Sequence, residues 1–189
     1  MRNFIAIPID LETTQKLSKK VLALQAAGWA KHIRWFNSEN YHLTLQFLGS
    51  KLEIEKVNQI LNVMDDWHLN EMPSFKTDIK SIQLFPESHS AHTIVATVND
   101  SSKIQSLVSR ITEATNLIGL SPTKQDFLPH ISLGRITKQV NLNELLIPTE
   151  IAYCDNIKLK VDTITLYQSQ LTTQAPIYTP LKSIFLKNS

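Results

Sequence analysis

Two hydrophobic periods alternate along the chain. Asn3 to Ile9 is an almost unbroken apolar, β-branched run and predicts an opening strand. Asp10 then stands where a helix needs a cap. Leu17, Val21 and Leu24 recur at i, i+4 and i+7, so a helix is expected over Leu11–Ala27, with Gly28 as its stop. The same period returns around Glu53–His68, where Ile54, Val57, Ile60, Leu61 and Met64 would face inward. It returns again over about Ser101–Ile118, capped by Asp100, with a stripe of Ile104, Leu107, Val108 and Ile111 and with Gly119 after it. Between these lie strand-like stretches at Tyr41–Leu48, Asp78–Leu84, Thr93–Val98, His130–Ile136, Ile157–Leu166 and Tyr178–Leu186. Phe85-Pro86-Glu87-Ser88 would open the turn of a hairpin. Strands and helices alternate, but the hairpins argue against a wholly parallel sheet. The pattern predicts an α+β fold with antiparallel sheet and helices on one face.

Composition adds bounds. With 189 residues, 42% of them apolar and 19% charged, the chain suits one packed domain and not a disordered one. No linker, charge block or short repeat divides it. The formal net charge is +2, less basic than is usual for a protein gripping long duplex DNA, although a short nucleotide or an RNA end remains compatible. Cys154 is the single cysteine, which excludes a disulfide framework and a thiolate zinc cluster, and it reads as a small buried hydrophobe. No apolar run approaches the ~18 residues of a membrane span. Met1 to Asp10 reads as mature structure, not a signal peptide, so the expected location is cytoplasmic.

The chemistry concentrates in two similar segments, Tyr41-His42-Leu43-Thr44-Leu45 and Pro129-His130-Ile131-Ser132-Leu133. Each reads His, apolar, hydroxyl, apolar. On a strand, His42 and Thr44 would share one face, as would His130 and Ser132, while the apolar partners turn into a core. Two such pairs offer two imidazoles and two hydroxyls on rigid elements; two unrelated half-buried histidines would give the same pattern. His89 and His92 form a His-x-x-His in a hairpin loop near Glu87, a trio that matches no metal signature. His32 and His68 read as surface or helix-end residues, and Arg34 and Trp35 as packing or cleft-rim residues.

The stretch Arg34-Trp35…Glu39-Asn40-Tyr41-His42-Leu43-Thr44-Leu45-Gln46-Phe47-Leu48-Gly49 resembles the first signature of the bacterial RNA 2′,3′-cyclic phosphodiesterases, historically called 2′-5′ RNA ligases, of the two-histidine phosphoesterase superfamily. Phe127-Leu128-Pro129-His130-Ile131-Ser132-Leu133-Gly134-Arg135 resembles the second, with Ser132 where threonine is commoner. Phe4-Ile5-Ala6-Ile7-Pro8 and Leu166-Tyr167-Gln168-Ser169-Gln170-Leu171 resemble the opening and a late strand. The resemblance implies a single bilobal domain over residues 1–189, built from two similar lobes. Each lobe would be an antiparallel sheet with helices on its outer face, and each would bring one motif to a central cleft. It implies hydrolysis of RNA 2′,3′-cyclic phosphate to a 2′-phosphate, with His42 as general acid, His130 as general base, and Thr44 and Ser132 donating to phosphate oxygens. It implies no metal and no cofactor. The expected partners are RNA ends or short nucleotides with a 2′,3′-cyclic phosphate; neither a membrane nor a second copy is expected.

Three other readings stay open at this point: ATP-independent 2′-5′ RNA ligation, a non-catalytic RNA or nucleotide binder, and a phosphodiesterase for a small molecule. The resemblance also suggests Phe47 for base stacking and Arg135 for a phosphate or nucleotide contact. Each lies five residues after its histidine. That odd offset puts it on the opposite face of a regular strand, so only a strand end or bend would turn it into the cleft. Otherwise Phe47 is core and Arg135 a surface charge.

Overall fold

Asn3 to Ile7 are buried in succession, so the opening strand must be covered on both faces. It is central. In the computed structural model, which describes residues 1–86, 91–121, 126–137, 146–170, 172 and 176–188, β1 (Arg2–Pro8) lies between β3 (His42–Gly49) and β8 (Thr163–Gln170). The nine strands among the described residues join in one sheet, in the order β7-β4-β5-β6-β3-β1-β8-β9, with short β2 (Ile33–Trp35) also on β6. The remaining strands are β4 (Phe75–Phe85), β5 (Thr93–Val98), β6 (His130–Ile136), β7 (Lys158–Val161) and β9 (Ile177–Phe185). Every strand pairing is antiparallel. The edge strand β9 tolerates Pro180, as an edge can.

The sheet divides into two four-strand halves, β7-β4-β5-β6 and β3-β1-β8-β9, at a seam where Leu43 pairs with Ile131. The halves repeat a strand–helix–strand unit. One is β1, α1 (Leu11–Ala26), β3; the other is β5, α3 (Ser102–Leu117), β6. Each helix ties its own unit to the opposite half. Thr13 of α1 donates to the Lys158 carbonyl on β7 at 2.7 Å, and Lys20 donates to the carbonyls of Glu150 and Tyr153 beside the short α4 (Thr149–Ala152). From the other side, Gln46 Nε2 of β3 donates to Thr115 Oγ1 of α3 at 2.8 Å. These crossed ties hold the two halves in one position, and the two motifs depend on that position.

Most expected elements form for the expected reasons. Asp10 accepts from the Thr13 amide, and Gly28 and Gly119 follow α1 and α3 with φ of +97° and +76°, a conformation that costs glycine little. Four details differ. Ser101, not Asp100, caps α3; its hydroxyl accepts from the Ile104 amide, while Asp100 accepts from the Gln105 side chain. The second helix is α-helical only over α2 (Ile54–Val63) and tightens to a 3₁₀ turn at Met64–Trp67; Ile54, at its start, faces solvent. Val108 is only partly buried. Finally, Ile157–Leu166 is two strands, not one. Asp162, which ion-pairs with Lys160 and accepts from Thr163 Oγ1, forms the corner where the chain leaves one edge of the sheet for the other half.

Candidate active site

β3 and β6 cross at the seam with Leu43 and Ile131 fully buried. Their neighbours therefore face the other way. Antiparallel register sets His42 opposite Ser132 and Thr44 opposite His130. The four motif side chains thus form one quartet, in which each histidine stands across from the other motif's hydroxyl. A pseudo-two-fold axis passes through the Leu43–Ile131 pair.

Both imidazoles are held alike. His42 Nδ1 donates to the Asn40 carbonyl at 2.7 Å, and His130 Nδ1 donates to the Leu128 carbonyl at 2.7 Å. A carbonyl only accepts, so Nδ1 carries the proton in each ring, and Nε2 is left to take up or release one. Their surroundings differ. His42 sits among Phe4 (ring centroids 4.9 Å apart), Tyr178 (5.0 Å, edge-on) and Tyr167 (6.4 Å). The one aromatic ring packed near His130 among the described residues is Phe85, at 4.3 Å. Burial pushes the basicity of both rings below the ordinary imidazole value, and His42 is lowered further by charge on His130. That repulsion works against charge on both rings at once.

Two cavities flank the quartet. One, of about 230 Å³, is lined by His42 and Ser132 together with Arg2, Arg34, Arg135 and Trp35. The other, of about 360 Å³, is lined by Thr44 and His130 with Phe47, Phe85 and Asp126. One is cationic, the other carries the aromatic faces of Phe47, Phe85 and Phe127, and each holds one of the histidines in its wall. Among the described residues no group of three or more His, Cys, Asp or Glu is gathered to hold a metal ion. His89 and Glu87 lie outside the described residues. His68 is exposed and pairs with Glu71, and Cys154 is buried, as expected.

The family model described as the AKAP7 2′5′ RNA ligase-like domain matches residues 3–179. The chain belongs to this family. Curated relatives named RNA 2′,3′-cyclic phosphodiesterase include one from Thermotoga maritima, 29% identical over 94% of this chain and 91% of its own length. Another, from Methanocaldococcus jannaschii, is 28% identical over 96% and 99%. Among solved structures, TT0787 of Thermus thermophilus superposes with a TM-score of 0.80 at 20% identity, covering 100% of this chain and 99% of that one. The apo form of LigT from E. coli gives 0.73 at 23%, covering 98% and 97%. These likenesses confirm the α+β two-histidine phosphoesterase fold.

Within this RNA ligase-like domain, the odd offset of Phe47 and Arg135 has a simple cause. Each motif strand carries a bulge at the third residue after its histidine. On β3, Ile5 pairs with Gln46 and Ala6 with Thr44, leaving Leu45 extra; on β6, Ile94 pairs with Gly134 and Val95 with Ser132, leaving Leu133 extra. Leu45 and Gln46 are consequently both buried, as are Leu133 and Gly134. The inserted residue inverts the alternation. Phe47 therefore returns to the face of Thr44, and Arg135 to the face of Ser132, each lining one cavity.

Arg34 and Trp35, expected as packing or rim, line the cationic cavity. The sequence reading missed Arg2, Phe85, Asp126, Tyr167 and Tyr178. Tyr167 lies in a stretch that carried the resemblance, and Asp126 directly precedes the second motif stretch; nothing in the local pattern of Arg2, Phe85 and Tyr178 marks them, because β1, β4 and β9 bring them in from distant parts of the chain.

Proposed function

We propose that the chain, acting as one two-lobed unit, opens RNA 2′,3′-cyclic phosphate ends to 2′-phosphates. The observation that carries this reading is the pair of imidazoles, one from each motif strand, each with Nδ1 donating to a carbonyl two residues before it and Nε2 turned to proton transfer. In-line displacement at phosphorus needs a base on the attacking side and an acid on the leaving side. With His42 as acid and His130 as base, His130 Nε2 takes a proton from water as its oxygen bonds to phosphorus. The P–O3′ bond breaks, and O3′ receives the proton on His42 Nε2. The products are a 2′-phosphate and a free 3′-hydroxyl, and proton exchange with solvent restores the pair. Thr44 and Ser132 donate to the non-bridging oxygens, where charge accumulates. Phe47 offers a face for the base, and Arg135 a charge for a phosphate of the nucleotide.

Cavities on both sides of the histidines also favour ATP-independent 2′-5′ ligation as a second activity of the same site. There an RNA 5′-hydroxyl replaces water. The substrate position would be an RNA end or a nucleotide, in keeping with the solved complex of LigT with 3′-AMP. Among the described residues no helix is long and apolar enough to cross a membrane.

The test is incubation of chelator-treated protein with a short RNA ending in 2′,3′-cyclic phosphate, with the phosphate position read out. A 2′-phosphate formed in the presence of EDTA is expected. A 3′-phosphate would reverse the regiochemistry, and binding without turnover would make the chain a non-catalytic module.

A further inference from the structure

The cationic cavity carries more charge than a cyclic phosphate needs. Three guanidiniums, Arg2, Arg34 and Arg135, line it, and among the described residues no carboxylate does. Among the described residues none of the three is in an ion pair with Asp or Glu. Two of them are forced together by the sheet. Arg34 lies directly opposite Arg135 in the β2–β6 pairing, a like-charge placement that destabilises an unliganded strand pair. Arg2 converges on the same place: the Tyr178 hydroxyl, whose ring stands edge-on to His42, lies in the field of both Arg2 and Arg135. The Trp35 indole N–H, also of this lining, is buried with no acceptor among the described residues. The fold therefore keeps three cations and a spare donor facing one small space.

A cyclic phosphodiester brings a single negative charge, and the histidines and hydroxyls at the seam already meet it. We infer that the cationic cavity holds a second phosphate of the substrate, the one on the 5′ oxygen of the nucleotide whose 2′,3′-cyclic phosphate is opened. The inference rests on the hydrolase reading above and narrows it: the substrate is a nucleotide chain, or a 5′-phosphorylated nucleotide, and not a nucleoside cyclic phosphate alone. The size agrees. About 230 Å³ falls below the ~300–1,000 Å³ of ordinary small-molecule sites, which suits a phosphate and part of a ribose but not a base as well. The base is left to the aromatic cavity, where Asp126 makes a poor neighbour for a second anion. Arg2 joins the two spaces, its guanidinium lying 4.9 Å from the centre of the Phe47 ring.

The test compares kcat/KM for three substrates with the same terminal nucleotide: the nucleoside 2′,3′-cyclic phosphate, its 5′-phosphorylated form, and a dinucleotide ending in the cyclic phosphate. Charge-assisted contacts of this kind predict that the latter two are favoured by roughly 10- to 100-fold, chiefly in KM, with the advantage shrinking as salt rises. In Arg34→Gln and in Arg2→Gln, each checked for an unchanged melting temperature, the advantage should fall several-fold or more. Equal kcat/KM for all three substrates overturns the inference and leaves the hydrolase reading intact. An advantage that survives both substitutions overturns the assignment to this cavity. An advantage for the dinucleotide alone traces it to the second nucleoside and overturns it too. Turnover of none of the three defeats the hydrolase reading itself.

Discussion

Gly134→Ala tests whether the bulge on β6 positions the site. Gly134 follows the extra residue Leu133, and it needs space. A Cβ there would stand 2.5 Å from Ile33 Cγ2, 3.1 Å from the Arg34 carbonyl oxygen and 3.2 Å from Trp35 Cα. Carbon pairs rest at about 3.5–4.0 Å, so β2 must retreat by roughly 1 Å. Relief is scarce: Ile33 is buried and β-branched, and the other two atoms are backbone in the β2–β6 ladder. Overpacking of this kind costs about 1–3 kcal/mol. At about 2–4 °C per kcal/mol for a chain of this length, the melting temperature should fall by roughly 2–12 °C. The second effect is on catalysis. Arg34 and Trp35 ride on β2 and line the cationic cavity, and a displacement near 1 Å costs up to about 100-fold in rate. A drop in kcat/KM of roughly 10- to 100-fold is expected with the RNA substrate, together with the lower melting temperature. Gly28→Ala is the control: it strains the left-handed residue after α1, which lines neither cavity, and should cost about 1 kcal/mol with kcat/KM unchanged. A Gly134→Ala protein with wild-type melting and wild-type kcat/KM would refute the idea that close approach of β2 to the bulge builds this wall.

Thr44→Ala and Ser132→Ala should each slow turnover by roughly 10- to 1000-fold with little change in melting temperature, from the loss of a hydrogen bond to a charged oxygen; wild-type rates in both would assign the hydroxyls to packing alone. Because burial lowers both histidines in the folded protein, the unfolded chain binds more protons below the ordinary imidazole value near ~6.5. Stability should therefore decline as pH falls from about 6.5 towards the folded values, and His42→Gln should flatten that slope in urea titrations between about pH 7 and 5.5; parallel slopes would sink the argument. With a nitrophenolate-type leaving group in place of the 3′ oxygen, His42→Ala should be substantially rescued and His130→Ala should not, and the opposite pattern would exchange their roles.

The strands that carry chemistry were legible because each motif alternates cleanly. Buried Leu43 and Ile131 announce the inward face, and His42, Thr44, His130 and Ser132 follow from it. The alternation stops being informative where the bulges begin. An extra residue is a property of a strand pair, not of one strand, and Leu45-Gln46 gives no local sign that a polar residue will be buried. Gln46 goes inside because Thr115, far along the chain, accepts from it. The strand expected over Ile157–Leu166 failed for a related reason. Its apolar alternation (Ile157, Leu159, Val161) changes phase across Asp162-Thr163 to Ile164 and Leu166, and the sheet order shows that this change of phase is a corner. Arg2 and Tyr178 were illegible because their role comes from strand order: β1 beside β3 sets Phe4 against His42, and Tyr178 of β9 closes over the same ring.

A two-fold scaffold is well suited to half of the reaction and badly suited to the other half. Acid–base catalysis at phosphorus wants two proton carriers on opposite sides, and the repeated strand–helix–strand unit supplies them with identical Nδ1 anchors. But the two carriers must begin in different protonation states, and symmetry cannot provide that. Here the departures from symmetry lie around the motifs. His42 has three aromatic neighbours and faces three arginines; His130 has Phe85 and faces Asp126. Burial works against a proton on both rings, and at His42 the charge of His130 adds to it, the opposite of what an acid needs. A bound phosphate reverses the local field, because its anion offsets the arginines and accepts a hydrogen bond from a protonated ring. On this reasoning the acid is loaded by the substrate. The pH dependence of kcat/KM and that of kcat should then differ, with the limb that reports the acid moving to higher pH once substrate is bound. Coincident profiles would place the proton on its carrier before binding, and the arginines would then have no part in setting the division of labour.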